Sequence, residues 1–135
     1  MSETDQYRET QRWLSYATGD LAAAQAIAAD RHLPPRVACS LSQQSAEKAM
    51  KAALVFVGVE FPKTHSLELL RNLLPADWRT GLAGVDLSTL SQWAVEARYP
   101  GDVPEATGEQ GIEAVSQAGK VLQHIRDCLA QRGFR

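Results

Sequence analysis

The sequence predicts an all-α protein, an up-and-down helical bundle of four long helices plus one short helix, folded as a single domain over residues 1–135. Three observations carry this expectation. No stretch alternates apolar and polar residues as a half-buried strand does, whereas apolar residues recur at helical spacing along most of the chain. Proline, glycine and hydroxyl or acidic residues fall where such helices would start and stop. Finally, Ala38 to Val57 reads as a helix whose polar residues, Ser40, Gln43, Gln44, Glu47, Lys48 and Lys51, gather into one narrow sector at about 100° per residue. The rest of that helix is apolar or small, so it needs neighbours on at least two sides.

The first helix is expected from about Asp5 to Asp30, with Trp13, Ala17, Leu21, Ala24, Ile27 and Ala28 as its apolar stripe. Asp20 projects onto that sector, where a carboxylate is costly to bury unless a donor meets it. Pro34 and Pro35 suit the start of the central helix, where a missing N–H costs nothing, and Gly58 suits its left-handed end. Within it, Glu47 precedes Lys51 by four residues and reads as a surface pair. Val59 to Ser66 form a connector into a short leucine-rich helix closed by Pro75, followed by an irregular crossing with Trp78 pinned to the core. Asp86 caps a fourth helix that Pro100 stops near Tyr99. Thr107 and Gln110 have capping-box spacing for the last helix, whose stripe is expected to be Ile112, Val115, Gly119, Leu122, Arg126 and Leu129, with Val121 and Cys128 alongside.

Composition narrows the function. A net charge of -2 with 22% charged residues leaves no basic belt for duplex DNA. No apolar run approaches the roughly 20 residues that span a bilayer, and the first ten residues lack a signal-peptide pattern, so a cytoplasmic location is expected. Cys39 and Cys128 stand in helical stretches without a CxxC or histidine-rich context, and read as buried small side chains. No metal-ligand spacing, Gly-rich phosphate loop or GxSxG turn is present, so neither a metal nor a cofactor is expected.

Four segments together make the chain recognisable: Trp13, Leu14, Ala17, Asp20, Leu21 and Ala24; the central CxxxQQxAEKAxKAxL; FPKTHSL from Phe61 to Leu67; and ARYPG from Ala97 to Gly101. In order and spacing they resemble the HEPN domain, the higher-eukaryote and prokaryote nucleotide-binding family, over almost the whole chain. The resemblance implies a helical bundle, a homodimer, and a minimal nucleotidyltransferase as partner in a toxin-antitoxin-like pair. Many members of that family cut RNA without a metal, using an arginine followed after four to six residues by a histidine. Arg98 matches the arginine, while the histidine positions hold Val103, Pro104 and Glu105.

The candidate binding residues for a nucleotide or RNA are Arg98, Tyr99, Lys48, Lys51 and His65, with Asp20 as supporting carboxylate. The Arg98 guanidinium offers a donor fork for phosphate, or ties its turn to Asp20. Tyr99 is placed to stack on a base or to pack in the core. Lys48, Lys51 and Gln44 form a cationic pocket around Arg98 or simply a solvated face, and Gln43 and Gln44 suit a dimer seam. His65 caps the short helix, bonds a carbonyl, or acts as a base; His124 faces a surface or dimer contact, and His32 is solvated. The leading expectation is therefore a binding module without an intact ribonuclease motif. The alternatives are a metal-independent ribonuclease toxin using Arg98 with a base such as His65, and a purely architectural oligomer subunit.

Overall fold

The computed structural model describes residues 1–94, 100–101 and 105–135, so the expectations placed on Arg98 and Tyr99 lie outside the described residues. Among those described there are six helices and no strand: α1 (Glu3–Ala29), α2 (Pro35–Val57), α3 (Leu67–Leu73), α4 (Ala76–Thr80), α5 (Leu87–Ser91) and α6 (Gly108–Gln131). The all-α bundle is as expected. Its division differs, with three long helices, α1, α2 and α6, and three short ones.

Local chemistry sets most of the helix ends. The Ser2 hydroxyl accepts from the Asp5 N–H, and Glu3 and Asp5 complement the positive end of α1. Gly58, at φ 76°, ends α2 in the left-handed region where a side chain is strained. Ser66 caps α3, Asp86 caps α5, and Thr107 with Gln110 forms a reciprocal capping box at α6. The fourth predicted helix begins at its expected cap; among the described residues it is helical from Leu87 to Ser91 and turns at Gln92 and Trp93, and the rest of its expected span, 95–99, lies outside the described residues. Between Pro75 and Val85, where an irregular crossing was expected, one turn of helix forms and buries Trp78.

The three long helices define the core, and α2 packs against α1, α3, α5 and α6. Along α2 the residues Ala38, Cys39, Ala46, Ala49, Ala52 and Ala53 are wholly buried. Their small size admits close neighbours: the Ser45 hydroxyl reaches across to donate to the Ala17 carbonyl at 2.7 Å. Gln6 on α1 donates from Nε2 to the carbonyls of Val55 and Phe56, satisfying two acceptors that a helix end leaves open. These contacts make α1 and α2 antiparallel. The first turn of α6 lies beside Pro35 and Ala38, while Phe134 beyond its end stacks on Tyr7 and meets Phe56 edge-on. Helices α2 and α6 therefore run in the same direction, joined by residues 58–107, which carry the three short helices.

The buried stripe of α6 is rotated from the one expected. It comprises Gly111, Ala114, Ala118, Val121, Leu122, Ile125, Cys128 and Leu129, while Ile112 is 61% exposed. His124 is not a free surface group either: its Nε2 donates to the Trp78 carbonyl at 2.7 Å, fastening α4 to α6. A Cβ on Gly81 would run into the His124 ring. Gly81→Ala is thus expected to cost about 1–3 kcal/mol by overpacking, whereas Gly84→Ala, with nothing within 4 Å, should be neutral or slightly stabilising. Denaturant melts of the two variants make the comparison.

Candidate functional site

The narrow polar sector of α2 is not wet. Gln43 is 0%, Glu47 4% and Lys51 8% exposed. This corrects the surface-pair expectation for Glu47 and Lys51. Their cover comes from both sides, Trp13 on α1 and the connector after Gly58, which returns over the helix carrying Phe61 and His65. The Lys51 ammonium lies 5.5 Å from the Trp13 ring centre and 5.7 Å from that of Phe61, and donates to Glu47 Oε2 at 2.9 Å. Two aromatic faces and one carboxylate thus meet a cation that burial would otherwise penalise.

The other oxygen of Glu47 serves the connector. Oε1 lies 2.7 Å from His65 Nδ1, and Gln43 Nε2 reaches the same oxygen at 3.3 Å. Gln43 also donates to the His65 backbone carbonyl at 3.0 Å, and its own Oε1 accepts from Gln44 at 2.8 Å. The rail Gln43, Glu47, Lys51, one residue per turn of α2, therefore fixes both the ring and the main chain of His65. Ser66, not His65, caps α3. Gln43, enclosed and bonded within its own chain, is not available to a dimer seam. The His65 side chain stays 39% exposed, against 5% for Glu47, so the network opens to solvent at the imidazole.

Burial pushes the Glu47 carboxyl upward, but hydrogen bonds from Lys51 and His65, the Lys51 charge and the Gln43 amide outweigh it and hold it below the ordinary value of 4.5. A carboxylate favoured in the folded state stabilises fully above its unfolded value. That stabilisation is lost as pH falls through the lowered folded value. Wild-type stability should accordingly decline as pH drops below about 4.5, and Glu47→Gln should flatten that acid limb. Chemical denaturation carried from neutral into acid solution reads the difference.

A second pair flanks the first. Lys48 donates to Asp20 Oδ2 at 2.6 Å and lies 5.7 Å from the ring of Tyr16, which is 60% exposed. Lys48 is the donor that Asp20 required. Both lysines expected in a cationic pocket are in this way matched by carboxylates, so the described site is close to charge-balanced. Lys63 is exposed on the connector. Cys39 is wholly buried, and burial, partly opposed by its own backbone N–H, pushes its thiol up to about 11. Burial also raises the Cys128 thiol, with Asp77 and Asp127 adding to it and Arg132 opposing. Neither is poised as a nucleophile. Among the described residues no three His, Cys, Asp or Glu side chains cluster as metal ligands would, and no helix is long and apolar enough to cross a membrane.

Of the residues expected in a binding site, Lys51 and His65 meet at Glu47, and Lys48 pairs separately with Asp20. Glu47, Gln43, Trp13 and Phe61 were not assigned to it. The signal that pointed to them was the narrowness of the polar sector of α2, together with FPKTHS immediately beyond the helix end.

Three long helices around a small-residue hub, with a charged rail sealed under a Phe–His connector, define a helical module of the HEPN type. The HEPN domain model matches residues 10–128, and the chain belongs to that family. Among solved structures it is similar to ST0689, an archaeal HEPN homologue, at 28% identity and a TM-score of 0.69, covering 89% of this chain and 97% of that one. It is also similar to TT1696 from Thermus thermophilus, at 25% identity and a TM-score of 0.67, covering 87% and 96%. A curated relative, "Putative toxin MJ1304" of Methanocaldococcus jannaschii, is 27% identical over 89% of this chain and 88% of its own length.

Proposed function

We propose that this chain is the toxin-type member of a two-component module and that it acts on RNA or a nucleotide at the Glu47–Lys51–His65 cluster. The observation that carries the reading is a buried charge network whose outlet is a half-exposed imidazole, with Phe61 and Trp13 against its Lys51 ammonium and the exposed Tyr16 against that of Lys48. Aromatic faces interleaved with cations suit unpaired bases better than a duplex. The toxin name of the relative supports the same direction. In this reading Arg98 supplies a phosphate-binding guanidinium and Tyr99 a further ring, the protein works as a homodimer, and a minimal nucleotidyltransferase is its partner.

Expression in a bacterial host tests the reading. Induction is expected to arrest growth, and co-expression of a nucleotidyltransferase encoded beside the gene is expected to relieve it. Purified protein should bind a short single-stranded RNA or ATP by fluorescence anisotropy, with Arg98→Ala at least tenfold weaker. A chain that neither arrests growth nor binds either probe would end the proposal. Unchanged binding in Arg98→Ala would remove that residue from the site.

A further inference from the structure

We infer that the crevice between α5 and α6 is a docking site for an arginine side chain of a basic partner protein. The inference is independent of the RNA or nucleotide reading and concerns residues that reading does not use.

The crevice opens where the first half of α6 passes α5. Leu90 and Ala114, both buried, form its floor, and the half-buried Trp93 makes a wall. Asp86 and Glu113 line it from exposed positions. Gln117 ties the two sides together: its Oε1 accepts the Asp86 N–H at 3.2 Å and its Nε2 donates to Glu113 Oε1 at 2.6 Å. One oxygen of Glu113 is thereby fixed, while the other has no hydrogen bond among the described residues. The hydroxyl and N–H of Thr89 hold the Asp86 carboxyl below its ordinary value of 3.8, so it is charged at neutral pH.

This charge is unmatched. Asp20 and Glu47 each meet a lysine, whereas among the described residues neither Asp86 nor Glu113 has a cation within ion-pair distance. Nor does the local sequence supply one, since no lysine or arginine occurs from 86 to 93 or from 108 to 119. Two such carboxylates repel phosphate and attract a cation, which separates the crevice from any nucleotide or RNA contact. Its size narrows the occupant further. A cavity of about 60 Å³, against roughly 300–1,000 Å³ for small-molecule sites, accepts the tip of one side chain and not a whole metabolite. A guanidinium satisfies each surface, its plane stacking on the Trp93 indole while its edge donates to the carboxylates. It also leaves water more readily than the compact, strongly hydrated ammonium of lysine. Arginine is accordingly concentrated in the pockets of protein interfaces, from which lysine is depleted.

The test follows the Trp93 indole N–H resonance of the full chain, assigned through Trp93→Phe. The peptide acetyl-Gly-Arg-Gly-amide is expected to shift it with a Kd of roughly 1–10 mM, the strength a single side chain supports. The lysine peptide should bind at least threefold more weakly and the neutral citrulline peptide at least tenfold. Glu113→Gln should weaken the arginine peptide at least fivefold, and adding Asp86→Asn, which keeps a good helix cap, should abolish binding. If the double variant does not fold, Glu113→Gln, at an exposed position, decides alone. An unmoved resonance, equal binding of the citrulline peptide, or a Glu113→Gln variant that binds normally overturns the inference. Tighter binding of ethylguanidine than of the peptide would assign the crevice to a free small cation, and a resonance that moves on dilution of the protein alone would assign it to a second copy of this chain; either result overturns the partner named here. All of these outcomes leave the RNA or nucleotide reading standing, because none of them touches Glu47, Lys51 or His65.

Discussion

Replacing Lys51 with alanine is expected to destabilise the fold by about 3–5 kcal/mol, because it leaves a buried carboxylate without its cation. Glu47 would keep His65 and Gln43, which places the loss toward the lower end of that range. The sign of the pH response identifies the cause. In the variant, burial without the ammonium raises the Glu47 carboxyl, so the deficit should be greatest near neutrality and shrink as acid protonates it. Wild type behaves in the opposite way in acid, since there the same group is held low. Substituting both partners with apolar residues of similar size, Glu47→Leu with Lys51→Met, should restore most of the stability. Urea melts at about pH 7 and about pH 4 distinguish these outcomes. Recovery in the double variant would show that the pair is kept for what it does to His65 and not for holding the bundle together.

Leu54→Ala is expected to cost about 2–5 kcal/mol, the usual range for emptying a fully enclosed leucine site. Leu54 is 0% exposed in the last turn of α2, the part of the hub where small residues give way to bulk. Its backbone carbonyl also receives the Val59 N–H at 2.9 Å, so the main chain there is already committed and little collapse can fill the void. Guanidinium unfolding gives the number, and a loss below about 1 kcal/mol would mean that this end of the bundle repacks freely.

Helix termini were legible in the sequence because their chemistry is local. A left-handed glycine at 58, an aspartate cap at 86 and a hydroxyl cap at 107 each act within three or four residues, and each stands where it was expected. The hub was legible as well, since a helix with so little polar surface must be enclosed. What periodicity cannot supply is the identity of the cover. The Glu47–Lys51 spacing is the same for a wet pair and a sealed one, and only the return of Phe61 and His65 across the helix decides between them. The rotated stripe of α6 has a similar origin: Ile112 and Arg126 share a face with apolar residues, but Gly111, Ala114 and Ala118 make the closer fit against the hub. At the fourth helix, Leu87 and Leu90 are buried as the pattern required. The pattern gave no warning of the turn at Gln92 and Trp93.

The parallel course of α2 and α6 bears on how such a protein diversifies. The span from 58 to 107 has to travel back along the bundle whatever it contains, and lengthening a tether costs little: doubling it adds only about 0.6 kcal/mol in closure entropy. Helices α3 to α5 can therefore be rewritten by insertion or deletion while the scaffold persists. His65 stands at the threshold of that replaceable tract, yet is clamped to the scaffold by Glu47 and Gln43. Descendants of this design can rewrite that tract without displacing the imidazole at its threshold.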